Sequence, residues 1–246
     1  MKQLEFKEID VVGAETLAVI SAANAFNEWT FQRIQPFCQG KILEIGSGVG
    51  NISQYFLAAG QQLHLSDVRP QYCQTLENNF AAYPNCLGIT QLDWVAPDFE
   101  QQYAHLIGQF DTIFSLNVLE HLQQDAQALH NAQLLLQPKG KLLILVPSYQ
   151  WLYNQLDENL DHYRRYTTQS LGQLMQAQGF HLLHQEYFNF MGIFAWFISG
   201  YLQGNQQIPA GQMSLYNTFV PLFKFLDALV FKRMGLSTIV VGERKE

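Results

Sequence analysis

Residues 41–51, Lys-Ile-Leu-Glu-Ile-Gly-Ser-Gly-Val-Gly-Asn, constrain the fold of this 246-residue chain more than any other segment. An apolar run that carries one acid, Glu44, breaks into glycines at every second position, and a helical pattern follows. Only residues without a Cβ atom tolerate both a tight turn and a close approach of the backbone to a ligand. The segment therefore predicts a buried strand that leads into a ligand-contacting turn. The glycines of this turn are Gly46, Gly48 and Gly50.

An acid at the end of the next apolar run fits the same kind of site. Residues 63–67 end at Asp67, which lies 21 residues after Gly46. A βαβ unit brings its second strand end beside the glycine turn at about this interval. A carboxylate there accepts hydrogen bonds from both ribose hydroxyls of an adenosine cofactor. The alternative is an acid that caps a helix starting near Pro70. Next to the glycine turn, the ribose role is favoured.

Strand-like and helical patterns alternate along residues 41–147, which predicts a parallel-rich, doubly wound sheet. Residues 110–117 form an apolar strand pattern, and Val-Leu-Glu-His-Leu follows at 118–122. An amphipathic helix, a Gln-Pro-Lys-Gly turn and an apolar strand ending in Val-Pro come next. Asn51 stands where a dinucleotide fingerprint carries its third glycine, so the spacing disfavours a nicotinamide oxidoreductase.

In order and spacing these motifs resemble those of the class I S-adenosylmethionine-dependent methyltransferases over residues 20–180 of the chain. The glycine turn resembles motif I of that family. Residues 117–122 resemble the segment after strand four in methyltransferases of types 11 and 12. The segment His-Tyr-Arg-Arg-Tyr-Thr at 162–167 resembles a bacterial subset that has glycine where this chain has Asp161. Because Asp161 restricts the loop at positive φ, we expect the local geometry or the substrate to differ there.

This resemblance implies S-adenosyl-L-methionine as the cofactor and S-adenosyl-L-homocysteine as the product. Asp93 would take the adenine amino group and Trp94 would pack on the ring, the alternative being an exposed loop acid beside a surface tryptophan. Glu44 would order the glycine turn or meet the cofactor's amino group through water, and Asn117 would lie near the methionine moiety. The expected cofactor-binding residues are Glu44, Gly46, Ser47, Gly48, Gly50, Asn51, Asp67, Val68, Asp93, Trp94 and Asn117.

Methyl transfer to a hydroxyl requires a base near neutral pH, whereas an amine or an activated carbon needs none. His121 is the first candidate by its position and by the ordinary pKa of histidine. Its alternative role is that of a histidine at a helix start that holds the fourth loop together. His162 and Tyr166 are the next catalytic candidates.

Two neighbouring arginines are candidates for binding the acceptor. Arg164 and Arg165 could clamp a carboxylate or a phosphate on that molecule. Alternatively, one of them pairs structurally with an acid of the same segment, and the acids available are Asp157, Glu158 and Asp161.

Composition narrows the functional classes. The net charge of −7, from 14 basic and 21 acidic residues, disfavours a nucleic-acid substrate. Three cysteines without a Cys-x-x-Cys pair, and a start without an apolar signal segment, predict reduced thiols in a cytoplasmic protein. Seven histidines lie without His-x-x-x-His spacing or carboxylates at ligand spacing, so no metal site is predicted.

The predicted fold is a single α/β domain over 1–246, with a Rossmann-like sheet of seven mostly parallel strands and helices on both faces. An N-terminal helix at 14–37 precedes a cofactor-binding core at 41–186. A helical cap at 187–234 is inserted between the last two strands, and 235–246 supplies the final strand. The cap is strongly apolar, and its second helix carries a predicted buried stripe. The members of that stripe are Phe219, Leu222, Phe223, Leu226, Leu229 and Val230.

Three interpretations of the cap remain open: a lid over the active site, a dimer interface, or a face resting on a membrane. The lid is preferred because core-like helices between the last two strands lie on the acceptor side of this fold. We therefore expect an enzyme, monomeric or homodimeric, that methylates oxygen or nitrogen of a small-molecule or lipid-like acceptor. One alternative is a protein methyltransferase, which needs an open peptide groove. Another is an inactive nucleotide-binding interaction protein.

Overall fold

The computed structural model of the protein describes residues 11–205, 207 and 209–245. One sheet contains the strands β1 (Lys41–Ile45), β2 (Gln62–Asp67), β3 (Cys86–Gln91), β4 (Phe110–Leu116), β5 (Leu136–Pro147), β6 (Phe180–Phe188) and β7 (Ser237–Arg244). The α-helices of the described residues are α1 (Val11–Ser21), α2 (Asn24–Ile34), α3 (Ser53–Ala58), α4 (Pro70–Phe80), α5 (Phe99–Gln102), α6 (Asp125–Leu135), α7 (Gln155–Asn159), α8 (Thr168–Ala177), α9 (Phe190–Phe197) and α10 (Ala210–Leu229).

The strands follow the order β3-β2-β1-β4-β5-β7-β6. β7 runs antiparallel to both of its neighbours, and the remaining pairings are parallel. The predicted sheet of seven mostly parallel strands is therefore confirmed. From β1, the sheet continues through β2 and β3 on one side and through β4 and β5 on the other. Because the strand order reverses between β1 and β4, a crevice opens there at their carboxyl ends.

Hydrophobic cores lie on both faces of the sheet. On one face, Leu43 of β1 belongs to a cluster with Leu129 of α6 and Leu171 of α8. On the other, Ile42 belongs to a cluster with Phe56 of α3 and Ile34 of α2. A central parallel strand buried on both faces needs a continuous apolar run instead of alternation, which is what β1 carries. Helices on both faces are thus confirmed.

The expected single helix at 14–37 is wrong, because the chain breaks it at Ala22 and Ala23. α1 ends at Ser21, α2 begins at Asn24, and a 3₁₀ turn at Gln35–Phe37 follows. The side chain of Asn27 donates a hydrogen bond of 2.8 Å to the Ile20 carbonyl. In a continuous helix, this carbonyl would accept a hydrogen bond from the backbone amide four residues later. An asparagine amide that competes with the backbone ladder stabilises such a break. The first ten residues of the predicted domain and its last residue lie outside the described part of the chain.

The cap between β6 and β7 consists of α9, a π-helical turn at Ile198–Leu202, and α10. It begins at Asn189 instead of residue 187, because β6 still pairs with β7 at Phe188. Asn189 has a φ of 70°, and its side chain accepts a hydrogen bond from the Gly192 amide at 3.0 Å. Asn189 is thus the N-cap residue of α9, and it turns the chain back over the edge of the sheet.

The predicted buried stripe of α10 is partly wrong. Phe219, Leu222 and Leu229 are exposed. The inward face consists instead of Tyr216, Val220, Phe223 and Asp227. Asp227 is tolerated there because its carboxylate accepts a 2.8 Å hydrogen bond from the Phe190 amide at the start of α9. α10 is apolar on more than one side, so hydrophobicity alone did not identify its buried face.

Candidate active site

A cavity of about 600 Å³ occupies the crevice at the carboxyl ends of the parallel strands. Ile45 of β1, Asp67 of β2, Leu116 of β4 and Pro147 of β5 all line it. Helices α1 and α2 close one side, and the cap closes another. In open α/β sheets this edge is where ligands bind.

The glycine turn is held by backbone hydrogen bonds. The amides of Gly46 and Ser47 both donate to the Ser66 carbonyl of β2, at 2.9 and 2.8 Å. Gly46 has a φ of 80°, and a Cβ atom there would overlap the side chain of Val118. Gly48 has a φ of 56° and lines the cavity, as do Ser47 and Asn51. The turn therefore presents backbone to the cavity, as its glycine spacing predicts.

Gly50 is an exception among the predicted cofactor-binding residues. It does not line the cavity, and a Cβ atom built on it would overlap the ring of Phe80. Its φ of 88° is a left-handed conformation that favours glycine. The third glycine thus serves helix packing and turn geometry, and its contact with a ligand stays a prediction.

Asp67 is buried at the edge of the cavity, 7% exposed. Its Oδ2 accepts a 2.9 Å hydrogen bond from the Gly48 amide, and its Oδ1 accepts one of 2.9 Å from the Arg69 amide. Burial raises the pKa of Asp67, and these hydrogen bonds oppose the increase. The N-cap of α4 is Arg69, so Asp67 is not the helix cap. It ties the glycine turn to β2, and the neighbouring Val68 also lines the cavity.

Asp93 and Trp94 also line the cavity. Asp93 Oδ1 accepts a 3.0 Å hydrogen bond from the Val95 amide. Trp94 is only 3% exposed and lies in a hydrophobic core, so the alternative of a surface tryptophan is wrong. Among the described residues, its Nε1 has no hydrogen-bond partner.

Glu44 and Asn117 complete the predicted cofactor end. Glu44 is buried, and the Ser53 hydroxyl of α3 donates a hydrogen bond to its Oε2. Burial raises the pKa of Glu44 to about 7, against the opposing effect of this hydrogen bond. Asn117 adopts a φ of 53° directly after β4, and its amide donates to the Leu145 carbonyl at 2.8 Å. Both residues line the cavity.

A polar cluster that sequence reasoning did not assemble lies elsewhere in the same cavity. Its members Glu120, His121 and His162 each offer a ligand atom, and these atoms lie within 4.8 Å of one another. The two imidazole rings meet edge to face with centroids 4.6 Å apart. Burial raises the pKa of Glu120 to about 7, although the charges of His162 and Arg165 oppose this. The premise that no histidines and carboxylates cluster is therefore wrong, because sequence spacing does not register contacts between residues 40 positions apart.

Asp157, another residue without a predicted site role, orients this cluster. His162 Nδ1 and Arg165 Nε each donate a 2.8 Å hydrogen bond to its Oδ1. Burial alone would raise the pKa of Asp157, but the hydrogen bond from His162 and the charge of Arg165 outweigh burial and lower it. Asp157 is thus held ionised, as an acceptor only. The capping box of α7, in which Asn154 and Asp157 bond each other's backbone, fixes its position.

Of the two arginines, only Arg165 lines the cavity. It pairs with Asp157, donates to the Ser148 carbonyl at 3.1 Å, and has its guanidinium 4.7 Å from the ring centroid of Trp196. The structural pairing with an acid of the same segment is therefore confirmed for Arg165.

Arg164 and Tyr166 do not line the cavity, which argues against their predicted roles as acceptor-binding and catalytic residues. Both contact Asp125 of α6, Arg164 Nη1 at 2.7 Å and the Tyr166 hydroxyl at 2.8 Å. Burial, followed by the charge of Asp125, raises the pKa of Tyr166 far above its usual range. Successive side chains of an extended segment point to opposite sides, so Arg165 faces the cavity and its two neighbours face away.

His121 lines the cavity but is a poor base. Burial lowers its pKa to about 3, and the charges of His162 and Arg69 add to this decrease. Asp161 has a φ of 58°, the left-handed conformation that glycine favours, and aspartate is among the residues that tolerate it. That the local geometry or the substrate differs from the subset with glycine at this position stays a prediction.

The cap contributes the remaining wall of the cavity, with Asn189, Gly192, Ala195, Trp196, Ser199, Gln212, Met213 and Tyr216. The Tyr216 hydroxyl of α10 donates a hydrogen bond to Asn189 Oδ1, which links the two cap helices beside the cavity. This arrangement satisfies the sequence expectation that the inserted helices face the cavity.

The strand order, the cavity-facing glycine turn and the acids after β2 and β3 define the class I S-adenosylmethionine-dependent methyltransferase fold. The site fits the cofactor, since backbone lines the cavity where a Cβ atom would intrude and buried carboxylates flank it. The chain belongs to the methyltransferase domain family, whose sequence profile matches residues 16–185. The chain therefore carries a methyltransferase domain. Membership of the bacterial subset with the His-x-Arg-Arg-Tyr segment stays a prediction.

Similar proteins extend this picture. An ubiquinone biosynthesis O-methyltransferase of Xanthomonas axonopodis is 25% identical over 117 residues, 48% of this chain and 46% of that protein. A highly reducing polyketide synthase of Aspergillus nomiae is 30% identical over 122 residues, 45% of this chain and 5% of the synthase. The chain thus spans less than half of either relative.

Solved structures share the fold. A methyltransferase in complex with the Haloferax volcanii Trm112 activator superposes over 100% of both chains, with a TM-score of 0.64 and 14% identity. The Haemonchus contortus phosphoethanolamine N-methyltransferase 2, solved with S-adenosylmethionine, has a TM-score of 0.59 and 15% identity over 89% of this chain and 52% of its own.

Proposed function

We propose that this protein transfers a methyl group from S-adenosylmethionine to oxygen or nitrogen of a small-molecule or lipid-like acceptor. The observation that carries the proposal is one cavity that is lined by the glycine turn, by buried acids, by an apolar helical cap and by the Glu120–His121–His162 cluster. We assign the glycine turn and the acids to a cofactor end of this cavity, and the cap and the cluster to an acceptor end.

At the cofactor end, Asp67 would bind the ribose hydroxyls and Asp93 the adenine amino group. Glu44 and Asn117 would flank the methionine moiety, beside the backbone of Gly46 and Gly48. Once bound, the cofactor supplies a methyl group activated by its positively charged sulfur. The protein's contribution is to hold the acceptor atom in line with that methyl group and to exclude water.

At the acceptor end, Trp196 and Met213 of the cap line the cavity with apolar surface, as do the residues of the polar cluster with their polar groups. A hydroxyl acceptor must lose a proton, and His162, oriented by Asp157, would face that proton together with Glu120. His121, as a neutral imidazole, would contact the acceptor without serving as its base. An apolar wall with a few convergent polar groups is typical of a small-molecule site.

A protein methyltransferase is the weaker candidate, because its peptide substrate needs an open groove where this protein has a cap. The comparisons support small acceptors, since similar proteins are named as an O-methyltransferase of ubiquinone biosynthesis and a phosphoethanolamine N-methyltransferase. A carbon methyltransferase, CurJ, also shares the fold. The activity test therefore includes oxygen, nitrogen and carbon acceptors.

The outer surface of the cap supports an acceptor drawn from a lipid surface. Large apolar side chains are exposed along α10 and the segment after it, among them Leu215, Phe219, Leu222, Phe225, Leu229, Phe231 and Met234. Within the described residues, no helix has both the length and the hydropathy needed to cross a bilayer. Contact with one leaflet through this stripe would bring the cap side of the cavity close to the lipid.

The deciding experiment incubates the protein with isotopically labelled S-adenosylmethionine and separate pools of polar metabolites, lipids and peptides, followed by mass spectrometry. We expect label to appear in an acceptor of the lipid or small-molecule pool and not in peptides. Label confined to peptides would contradict the proposal. Tight binding of S-adenosylhomocysteine without label in any pool would favour the inactive nucleotide-binding protein.

A further inference from the structure

We propose that Glu120, His121 and His162 bind a divalent transition-metal cation such as Zn²⁺ inside the cavity. Two imidazoles and one carboxylate are a donor set that suits Zn²⁺ and related ions. The three ligand atoms already lie within 4.8 Å of one another, with His162 Nε2 4.0 Å from Glu120 Oε1. A cation between them would require only small side-chain movements.

The surroundings of Glu120 give the strongest reason to expect a bound cation. Glu120 is fully buried, and neither carboxylate oxygen has a hydrogen-bond partner among the described residues. A buried carboxyl group without a hydrogen bond is costly. His162 Nε2 lies 4.0 Å from Glu120 Oε1, beyond hydrogen-bond distance. Arg165, whose charge acts on Glu120, already pairs with Asp157 and with the Ser148 carbonyl. A metal ion would satisfy Glu120 where side chains of the described residues do not.

The hydrogen bond from His162 to Asp157 prepares the ring for ligation. Asp157 accepts the hydrogen of His162 Nδ1, so in the neutral form that a histidine ligand takes, the lone pair would lie on Nε2. That nitrogen faces Glu120. A histidine that ligates a metal commonly donates its other ring nitrogen to a carboxylate in this way. The proposed site therefore has an outer-shell partner, Asp157, in addition to its three ligands.

Three protein ligands leave coordination positions open toward the cavity, a feature of catalytic rather than structural metal sites. An acceptor oxygen in such a position would have its pKa lowered by the cation. This consequence rests on the proposed methyl transfer, whereas the binding of the cation does not.

The test is a zinc titration of the full chain after removal of metal with a chelator, followed by calorimetry and elemental analysis of the dialysed protein. We expect one zinc ion per chain. Glu120→Gln and His162→Gln should each weaken zinc binding by at least about tenfold, because loss of even an outer-shell partner has that effect. Co²⁺ in place of Zn²⁺ should give visible absorption bands that Glu120→Gln abolishes.

His184→Gln is the matched control. His184 Nε2 lies 2.9 Å from Glu186 Oε2, so it forms a histidine–carboxylate pair outside the cavity. This variant should bind zinc like the wild type. The affinity of every variant for S-adenosylhomocysteine shows whether it is folded.

Wild-type protein that binds S-adenosylhomocysteine but no zinc would overturn the cation site and leave the proposed methyl transfer intact. Equal zinc binding by the wild type and the two cluster variants would also overturn it. Zinc binding without S-adenosylhomocysteine binding would support the site and contradict the methyltransferase function.

Discussion

The two ends of the cavity are built on different principles. The cofactor end relies on backbone: glycines with positive φ, amides that donate to the Ser66 carbonyl, and a strand-end acid that accepts from Gly48. The acceptor end relies on side chains from distant segments, such as Glu120, His162 and Trp196. The comparison teaches that local chain geometry suffices for a common cofactor, whereas a particular acceptor requires a tertiary assembly.

The largest expected effect is that of Gly48→Val on the cofactor end. A branched side chain would stand where backbone lines the cavity, although its nearest neighbour, Leu17, is 3.5 Å from the Cβ position. We expect affinity for S-adenosylhomocysteine to fall about 100-fold or more, or roughly 3 kcal/mol, by calorimetry. Gly60→Val is the control, because Gly60 also has a positive φ but nothing within 4 Å of its Cβ position.

Equal loss of cofactor affinity in both glycine variants would mean that backbone strain, and not steric exclusion of the ligand, causes the effect. The conclusion that the cofactor end relies on backbone next to the ligand would then be wrong. Unchanged binding by Gly48→Val would show that the turn does not face the ligand.

Asp67→Ala should have the next largest effect. It removes a carboxylate proposed to accept ribose hydroxyls, and charge-assisted hydrogen bonds contribute about 1.5–3 kcal/mol each. Affinity for S-adenosylhomocysteine should fall at least about tenfold, measured by calorimetry. Asp111→Ala serves as the control, since Asp111 also accepts a backbone hydrogen bond, from the Lys41 amide at 2.8 Å, but lies outside the cavity. An unchanged affinity would assign Asp67 to holding the turn alone.

Glu44 gives a smaller, pH-dependent effect on stability without cofactor. Its folded pKa of about 7 lies above its ordinary value of 4.5, so the folded state retains the proton. Its stabilising contribution is full below pH 4.5 and is lost as the pH rises through 7, by up to about 3 kcal/mol. Denaturant unfolding of Glu44→Gln between pH 5 and 8 should show a smaller decrease than the wild type. A part of the decrease should remain, because burial also raises the pKa of Glu120 to about 7.

Glu77→Gln, on the exposed side of α4, changes the charge equally and should keep the wild-type pH profile. The same slope in Glu44→Gln and in the wild type would mean that Glu44 does not carry the effect.

The smallest stability effect is expected on the outer face of the cap. Phe225 is 60% exposed, so Phe225→Ser should change the free energy of unfolding by no more than about 0.5 kcal/mol. Flotation with lipid vesicles should nevertheless decrease, because the apolar stripe is interrupted. Phe223→Ser, on the inward face, should destabilise the fold. Equal flotation of Phe225→Ser and wild type would contradict the proposed lipid contact.

Most of the fold was predictable from local patterns. Alternating strands and helices predicted the sheet, and the glycine spacing predicted a cavity-facing turn at Gly46 and Gly48. A strand buried on both faces shows as an apolar run, and a turn at positive φ requires glycine. Asp67 could be placed as well, because it comes at the end of the next strand along the chain. Gly50 looked identical to its neighbours in sequence, yet Phe80 occupies the space beside it.

The acceptor end was decided by tertiary structure. The chain direction at residues 164–166 determines that Arg165 faces the cavity while Arg164 and Tyr166 face Asp125. The packing of the loop after β5 against the turn after β4 brings His162 to Glu120 and His121. Sequence by itself determined the fold class and the family of the protein, because those depend on backbone conformation over short spans. Tertiary structure alone decided which side chains converge on the acceptor, because those contacts join residues about 40 positions apart whose spacing leaves no periodic signal.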